Sequence, residues 1–151
     1  MAKPLPIADY DPSRVIQTIG NITPTAYGPD ARISVGQSTD GYTIQQGQDG
    51  HVIRVKQRGI VYPLSFSLMK SDPANDLLTE LYQKDYDGST GSGIVKYELA
   101  DNNGNARCTA AYCWINRLPE LTYSASGAEV YQWMCTLVSA DLQTRALKFL
   151  T

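Results

Sequence analysis

The sequence predicts a mainly β fold, a sandwich or barrel of about seven strands with one flanking α-helix. Three observations point there. Several segments alternate apolar and polar residues with the two-residue period of a half-buried strand, one stretch alone switches to helical spacing, and glycine and proline fall between these segments instead of massing in a linker. At 151 residues the chain is long enough for one domain with its own core, since a domain near this size buries roughly 68–70% of the surface its unfolded chain exposes.

The change of period lies within residues 64–88, LSFSLMKSDPANDLLTELYQKDYDG. Ile60, Tyr62, Leu64, Phe66 and Leu68 alternate with Val61, Pro63, Ser65 and Ser67, the pattern of a strand with one buried face. Ala74, Leu77, Leu78, Leu81 and Tyr82 then recur at steps of three and four and share one face of a helix. Asp72 is suited to accept the free N–H groups of the first turn, Pro73 has no N–H to lose at the first helical position, and Gly88 follows the far end. Leu77, Leu78 and Leu81 are expected to close one open side of the β-core.

The remaining elements follow in order. Residues 1–12 are proline-rich and polar and read as an arm. Residues 14–22 (RVIQTIGNI) and 33–35 are strands, with Pro24, Gly28, Pro29 and Asp30 supplying turns between them. Residues 36–50 (GQSTDGYTIQQGQDG) hold four glycines and read as a long polar loop or loose hairpin, the kind of segment that carries binding function. In 51–57 (HVIRVKQ) Ile53 and Val55 oppose Arg54 and Lys56, and Arg58-Gly59 predicts a hairpin into the strand at Ile60. After a flexible connector at 88–93, strands at 94–100 and 107–118 flank Asn103-Gly104, a dipeptide favoured in two-residue hairpin turns. Tyr112 and Trp114 share one face of the second of these strands, with Ala111, Cys113 and Ile115 on the other. The last strong strand, 130–138, aligns Tyr131, Trp133, Cys135 and Leu137, and 143–151 is a tail.

Several function classes are disfavoured. Thirteen Lys and Arg stand against 15 Asp and Glu, for a net charge of −2 with no block of like charge, whereas nucleic-acid binding by counterion release needs a clustered basic face. Cys108, Cys113 and Cys135 lack metal-ligand spacing and are odd in number, so they read as small buried apolar residues. His51 is the single histidine and has no nucleophile motif beside it. The 88–93 glycines lack the lysine of a phosphate loop and follow a helix. Asp85-Asp87-Ser89 and Asp101-Asn103-Asn105 each begin like a calcium loop, but the closing ligand positions are Lys96 and Tyr112. The sequence therefore implies no catalytic residues, no cofactor and no metal. No apolar run approaches the roughly 18 residues of a membrane helix or the pattern of a leader, which reads as synthesis in a reducing cytoplasm.

Three segments together resemble the tail tube proteins of contractile-tailed bacteriophages of the PhiTE-like type: YDPSRV at 10–15, SVGQSTDGYTIQQGQDGHVIRV at 34–55, and above all LSFSLMKSDPANDLLTEL at 64–81. The DNNG turn and the Trp133 strand fit in order. The resemblance implies a subunit that forms hexameric rings, stacked into a hollow tube through which DNA passes without specific binding. A tail sheath protein would surround the tube, with tape measure and baseplate or tail-terminator proteins as further partners, no membrane, and a place in the virion tail. The arm at 1–12, the loop at 36–50 and the tail at 143–151 would then bridge subunits, with Tyr42, Ile44, Gln46 and Gln48 as contacts. Two alternatives remain open at this point. One is the tube of a related machine, a type VI secretion system or phage-derived bacteriocin. The other is a small β-sandwich module that binds carbohydrate or protein through Tyr112, Trp114 and Trp133.

Overall fold

The computed structural model describes residues 7, 10–27, 33–125 and 130–147; most of the 1–12 arm and the last residues of the tail lie outside them. A 3-10 turn at Pro12–Arg14 leads into β1 (Val15–Ile19), followed by β2 (Ile33–Val35), β3 (Tyr42–Gln46), β4 (Val52–Lys56), β5 (Tyr62–Met69), α1 (Ala74–Asp87), β6 (Val95–Asp101), β7 (Arg107–Arg117) and β8 (Val130–Gln143). Six strands form one antiparallel sheet in the order β1-β6-β7-β8-β5-β2, while β3 and β4 pair only with each other. The sheet is curled into a half-barrel with the single helix against it. Of the two architectures left open by the sequence, the curled sheet is the one adopted.

The curl has a local cause in the middle strands. Val95 pairs with Cys113 but Tyr97 pairs with Ala110, so Ala111 and Tyr112 together oppose Lys96 in a β-bulge. Both of those residues point away from the core, and the buried positions of β7 change from 108 and 110 to 113 and 115. The neighbouring strand bends with it: Ser139 takes φ +55°, and the inward residues change from Trp133, Cys135 and Leu137 to Ala140 and Leu142. An extra residue bends and twists its strand, which lets the sheet wrap around its own core. The strict alternation expected for residues 111–115 fails for this reason, because Ala111 lies on the opposite face from Cys113 and Ile115.

The core is the concave face. Leu64, Phe66 and Leu68 of β5 meet Cys135, Trp133 and Tyr131 of β8 in register, and Ile19, Tyr97, Cys108, Ala110, Cys113, Ile115 and Leu137 complete it. All three cysteines are free and buried. Burial pushes the Cys108 thiol up, and a hydrogen bond between Cys113 and Cys135, followed by burial, does the same to Cys135, so these residues behave as core atoms and not as nucleophiles.

α1 lies across this face with a cap made by two residues. Pro73 is already helical in φ and ψ and offers no side-chain cap; the carboxylate before it does, Asp72 Oδ1 accepting the Ala74 N–H at 2.9 Å. The other oxygen, Oδ2, accepts the N–H groups of Ala26 and Thr25 at 2.8 and 3.2 Å. One buried carboxylate thus ties the helix start to the segment after β1. Asn75 does similar work, its amide donating to Met69 O and its Oδ1 accepting the Trp133 indole N–H at 3.0 Å.

The helix face differs from expectation at one residue. Leu78 is fully buried and Leu81 packs against the core, but Leu77 is 49% exposed. The residues buried by α1 are Ala74, Asn75 and Leu78, a stripe narrow enough to leave Leu77 at the rim.

Two other expectations are corrected. The strand at 51–57 does not pair with the strand beginning at 60, since β8 and β2 occupy both sides of β5; its partner is β3. The Asn103-Gly104 turn is not a two-residue turn. Asp101 and Ala106 close a longer loop, and the left-handed residue is Asn105 at φ +68°. Asn103 is instead the docking point of the N-terminal segment: its Oδ1 accepts the Asp11 N–H and its Nδ2 donates to Asp11 O, each at 3.0 Å. A Cβ on Gly104 would lie 2.6 Å from Ala146 O, so this glycine lets the segment after β8 cross the turn. β8 itself continues to Gln143, five residues beyond the strand expected from alternation, because the phase change at Ser139 hides its later half.

Candidate assembly surface

The segment between β2 and β5 forms a hairpin that stands apart from the sheet. Its register, Tyr42 opposite Lys56, Ile44 opposite Arg54 and Gln46 opposite Val52, puts those six side chains on one face, because directly opposed residues point the same way. Thr43, Gln45, Ile53 and Val55 form the other. Tyr42, Ile44, Val52 and Ile53 are between 46% and 68% exposed. The Arg54 guanidinium lies 4.2 Å above the Tyr42 ring, and Gln57 Nε2 donates to Thr43 Oγ1 at 3.0 Å.

At the tip, the Gly47 N–H donates to His51 O at 2.9 Å and Gly50 turns the chain at φ +87°. The His51 side chain, hydrogen-bonded to Asp49 at 2.5 Å, and the His51 N–H hold the Asp49 carboxyl below the usual carboxylate range. That contact gives the histidine a turn-closing partner and no nucleophile.

A two-stranded hairpin is marginal by itself in water, and this one leaves four large apolar side chains in solvent. Of the four contact residues expected from sequence, Tyr42, Ile44 and Gln46 lie on one face and Gln48 lies in the turn. Val52 and Arg54 share the face of Tyr42, Ile44 and Gln46, and Ile53 is exposed on the other. The alternation in HVIRVKQ carries that signal, and the strand it marks pairs with β3 and not with β5.

Two further features accompany the hairpin. The six-stranded sheet ends in β1 on one side and the three-residue β2 on the other, so each edge strand keeps one row of backbone groups unpaired by any other named strand. The face of the sheet away from α1 mixes polar and apolar residues, with Thr18, Lys96, Glu98, Thr109, Asn116, Gln132, Thr136 and Asp141 outward beside Ile16, Tyr112, Trp114 and Met134; Thr136 Oγ1 bonds Asn116 Oδ1 at 2.7 Å.

The three aromatic residues expected to bind carbohydrate do not share one face of the sheet. Trp133 is buried and hydrogen-bonded to Asn75, while Tyr112 is exposed on the other side of the sheet and Trp114 is half-buried. Among the described residues no group of His, Cys, Asp or Glu is placed to hold a metal ion, and no helix is long and apolar enough to cross a membrane.

The curled sheet with its packed helix is similar in fold to chains of contractile injection systems. The chain superposes on the tube-terminating cap of the anti-feeding prophage with a TM-score of 0.64 at 10% identity, covering 95% of this chain and 96% of that one. It superposes on a chain of the extended sheath–tube complex of the extracellular contractile injection system PVC with a TM-score of 0.62 at 10% identity, covering 92% of each. The sheath/tube terminator of the same system gives 0.61 at 14% identity, covering 95% of this chain and all of that one. In sequence the chain is similar to structural protein ORF10 of Pseudomonas phage KPP10, 23% identical over 140 residues that span 89% of this chain and 80% of that protein. It matches no protein-family profile. The proteins it is similar to are structural components and not enzymes.

Proposed function

We propose that the chain is a structural subunit of a phage tail tube, forming hexameric rings that stack into a hollow tube and conduct DNA during ejection. The observation that carries this reading is that the sheet is incomplete by itself. An open half-barrel with an unpaired strand at each edge is an aggregation hazard unless the edges are covered. Placing β1 of one copy against β2 of the next joins the sheets, and repeating that contact around a ring removes every edge, as closure of a barrel does. The contact is heterologous, so it generates a ring if the rotation closes and a filament if it does not.

The sheet face away from α1 would then line the channel. Hydroxyl and amide side chains with interspersed charges of both signs give DNA no basic track to bind, which favours sliding over sticking. A sheath would lie outside, with terminator, tape measure and baseplate proteins at the ends, and the subunit would reside in the virion tail after synthesis in the host cytoplasm. The arm at 1–12 and the tail at 143–151 would add contacts between copies. A second reading, the tube of a related contractile injection system such as a type VI secretion system or phage-derived bacteriocin, is favoured by the similarity to PVC and anti-feeding prophage chains.

Negative-stain electron microscopy of the purified chain tests the proposal. Six-fold rings or stacked tubes are expected, and a monomer that persists at millimolar concentration overturns it. Packaged DNA in particles carrying the chain separates the phage reading from the second one.

A further inference from the structure

We infer that Asn103 is a deamidation site held latent by the N-terminal segment, and that its conversion to an acid releases that segment irreversibly. Asn103-Gly104 is the one Asn-Gly dipeptide in the chain. The chemistry belongs to that pair, because a residue with no side chain lets its backbone nitrogen reach the preceding carboxamide with the least hindrance. The Gly104 nitrogen attacks Asn103 Cγ and closes a cyclic imide. The Cγ–Nδ2 bond breaks, and Nδ2 leaves as ammonia with the proton given up by the Gly104 nitrogen. Water then opens the imide at either carbonyl, leaving at position 103 an aspartate, or an isoaspartate whose main chain runs through the former side chain.

In the folded chain both reacting groups are covered. Asn103 is 7% exposed and Gly104 is buried. The carboxamide Oδ1 accepts the Asp11 N–H and Nδ2 donates to Asp11 O, each at 3.0 Å, while Nδ2 also donates to Asp101 Oδ1 at 2.9 Å. The same Asp101 oxygen accepts the Asn103 main-chain N–H at 2.9 Å. These bonds fix the carboxamide plane and occupy the nitrogen that has to leave, whereas attack requires the group to turn toward the Gly104 nitrogen. On the other side the segment after β8 closes over the glycine, Ala146 O lying 2.6 Å and Leu147 Cα 2.9 Å from where a Cβ would be. The N-terminal segment is held at a second point, the Asn102 N–H donating to Arg14 O at 3.2 Å. Lifting that segment removes two of the three carboxamide bonds and uncovers the amide.

The conversion runs one way because its product does not re-form the contact. An ionised carboxylate has no donor. Where Nδ2 now serves Asp11 O and Asp101 Oδ1, the acid sets an oxygen against both and places a second negative charge beside Asp101. An isoaspartate also lengthens the main chain of the turn by one atom. As an amide, Asn103 is a latch that opens and recloses with local fluctuations of the turn; as an acid it stays open.

The test follows the peptide containing Asn103 by mass spectrometry in the full-length chain held in mildly alkaline buffer. Conversion is expected to be slower by about a hundredfold in the folded chain than in the same chain in urea, because the reaction proceeds from the opened turn. Asp11→Pro removes the donor to Oδ1 and is expected to speed conversion roughly five- to tenfold, the worth of one hydrogen bond, with the far-ultraviolet circular dichroism unchanged. Asn103→Asp makes the product directly, and is expected to lose hydrogen-exchange protection at residues 11–14 and at Asn102 while β7 and β8 keep theirs. Equal rates in the folded and urea-unfolded chain, or a rate that Asp11→Pro leaves unchanged, overturn the latent site. Protection of residues 11–14 that survives Asn103→Asp overturns the release. Where Asp11→Pro does not fold, the comparison with urea and the exchange measurement decide.

Discussion

Replacing Asp72 by alanine is expected to destabilise the subunit by about 2–4 kcal/mol. The carboxylate accepts three backbone N–H groups, from Ala74, Ala26 and Thr25. Loss of a helix N-cap costs about 0.5–2 kcal/mol. Each of the two further N–H groups, left without its acceptor in a partly buried setting, adds about 1 kcal/mol. For a chain of this length 1 kcal/mol corresponds to roughly 2–4 °C in Tm, so the melting temperature falls by about 5–15 °C. Thermal unfolding followed by circular dichroism reads the change, at one low protein concentration because assembly itself raises apparent stability.

Asp72→Asn separates charge from geometry. Burial pushes the Asp72 carboxyl up, but the N–H groups of Ala74, Ala26 and Thr25 outweigh it and hold the group below the usual carboxylate range. Its folded-state pKa is therefore below its unfolded value of about 3.9. The stabilisation is fully present above the unfolded value and is lost as pH falls through the folded one. The stability gap between the native chain and Asp72→Asn should accordingly be constant above about pH 5 and shrink below about pH 4. A gap that does not change with pH, or a loss under about 0.5 kcal/mol for Asp72→Ala, refutes the three-bond account.

Three further substitutions test the packing. Leu78→Ala should cost about 2–5 kcal/mol in chemical denaturation because Leu78 is fully enclosed, whereas Leu77→Ala should cost under about 0.5 kcal/mol in the unassembled subunit. Tyr27 has a buried hydroxyl with no hydrogen-bond partner among the described residues, and burial, then the charge of Asp72, pushes its pKa up to about 12. Tyr27→Phe is expected to be neutral or stabilising by up to about 1 kcal/mol, with one phenol fewer in the high-pH absorbance titration. Gly104→Ala forces a Cβ onto the backbone of Ala146 and Leu147, and should increase hydrogen exchange or proteolysis in the segment after β8; unchanged protection counts against that close approach.

The sequence and the structure part company at identifiable places. The switch of period at 64–88, the Asp72 cap and the apolar alternation of β5 and β8 are local properties, written in side-chain type and spacing, and the fold follows them. Pairing is different. The alternation of Val52–Lys56 says that the segment is a strand but not which strand it meets, and the answer depended on β2 and β8 having taken both edges of β5. The bulge at Ala111–Tyr112 was equally hidden, since it exists only relative to Lys96 on the neighbouring strand.

The same division governs the exposed hairpin. That Tyr42, Ile44 and Gln46 are exposed is legible in the sequence, because a long polar segment with interspersed apolar residues has no place in a core. Helical spacing groups Leu77 with the core leucines because it gives a face without its width, and only packing against a curved sheet shows that the face ends before Leu77. By itself the sequence determined a β-protein with one capped helix, an exposed segment at 36–50 and no chemistry for catalysis. The tertiary structure alone decided that the sheet is left open at β1 and β2 and that a hairpin stands apart from it, because edges, register and the width of a buried stripe are relations between segments far apart in the chain.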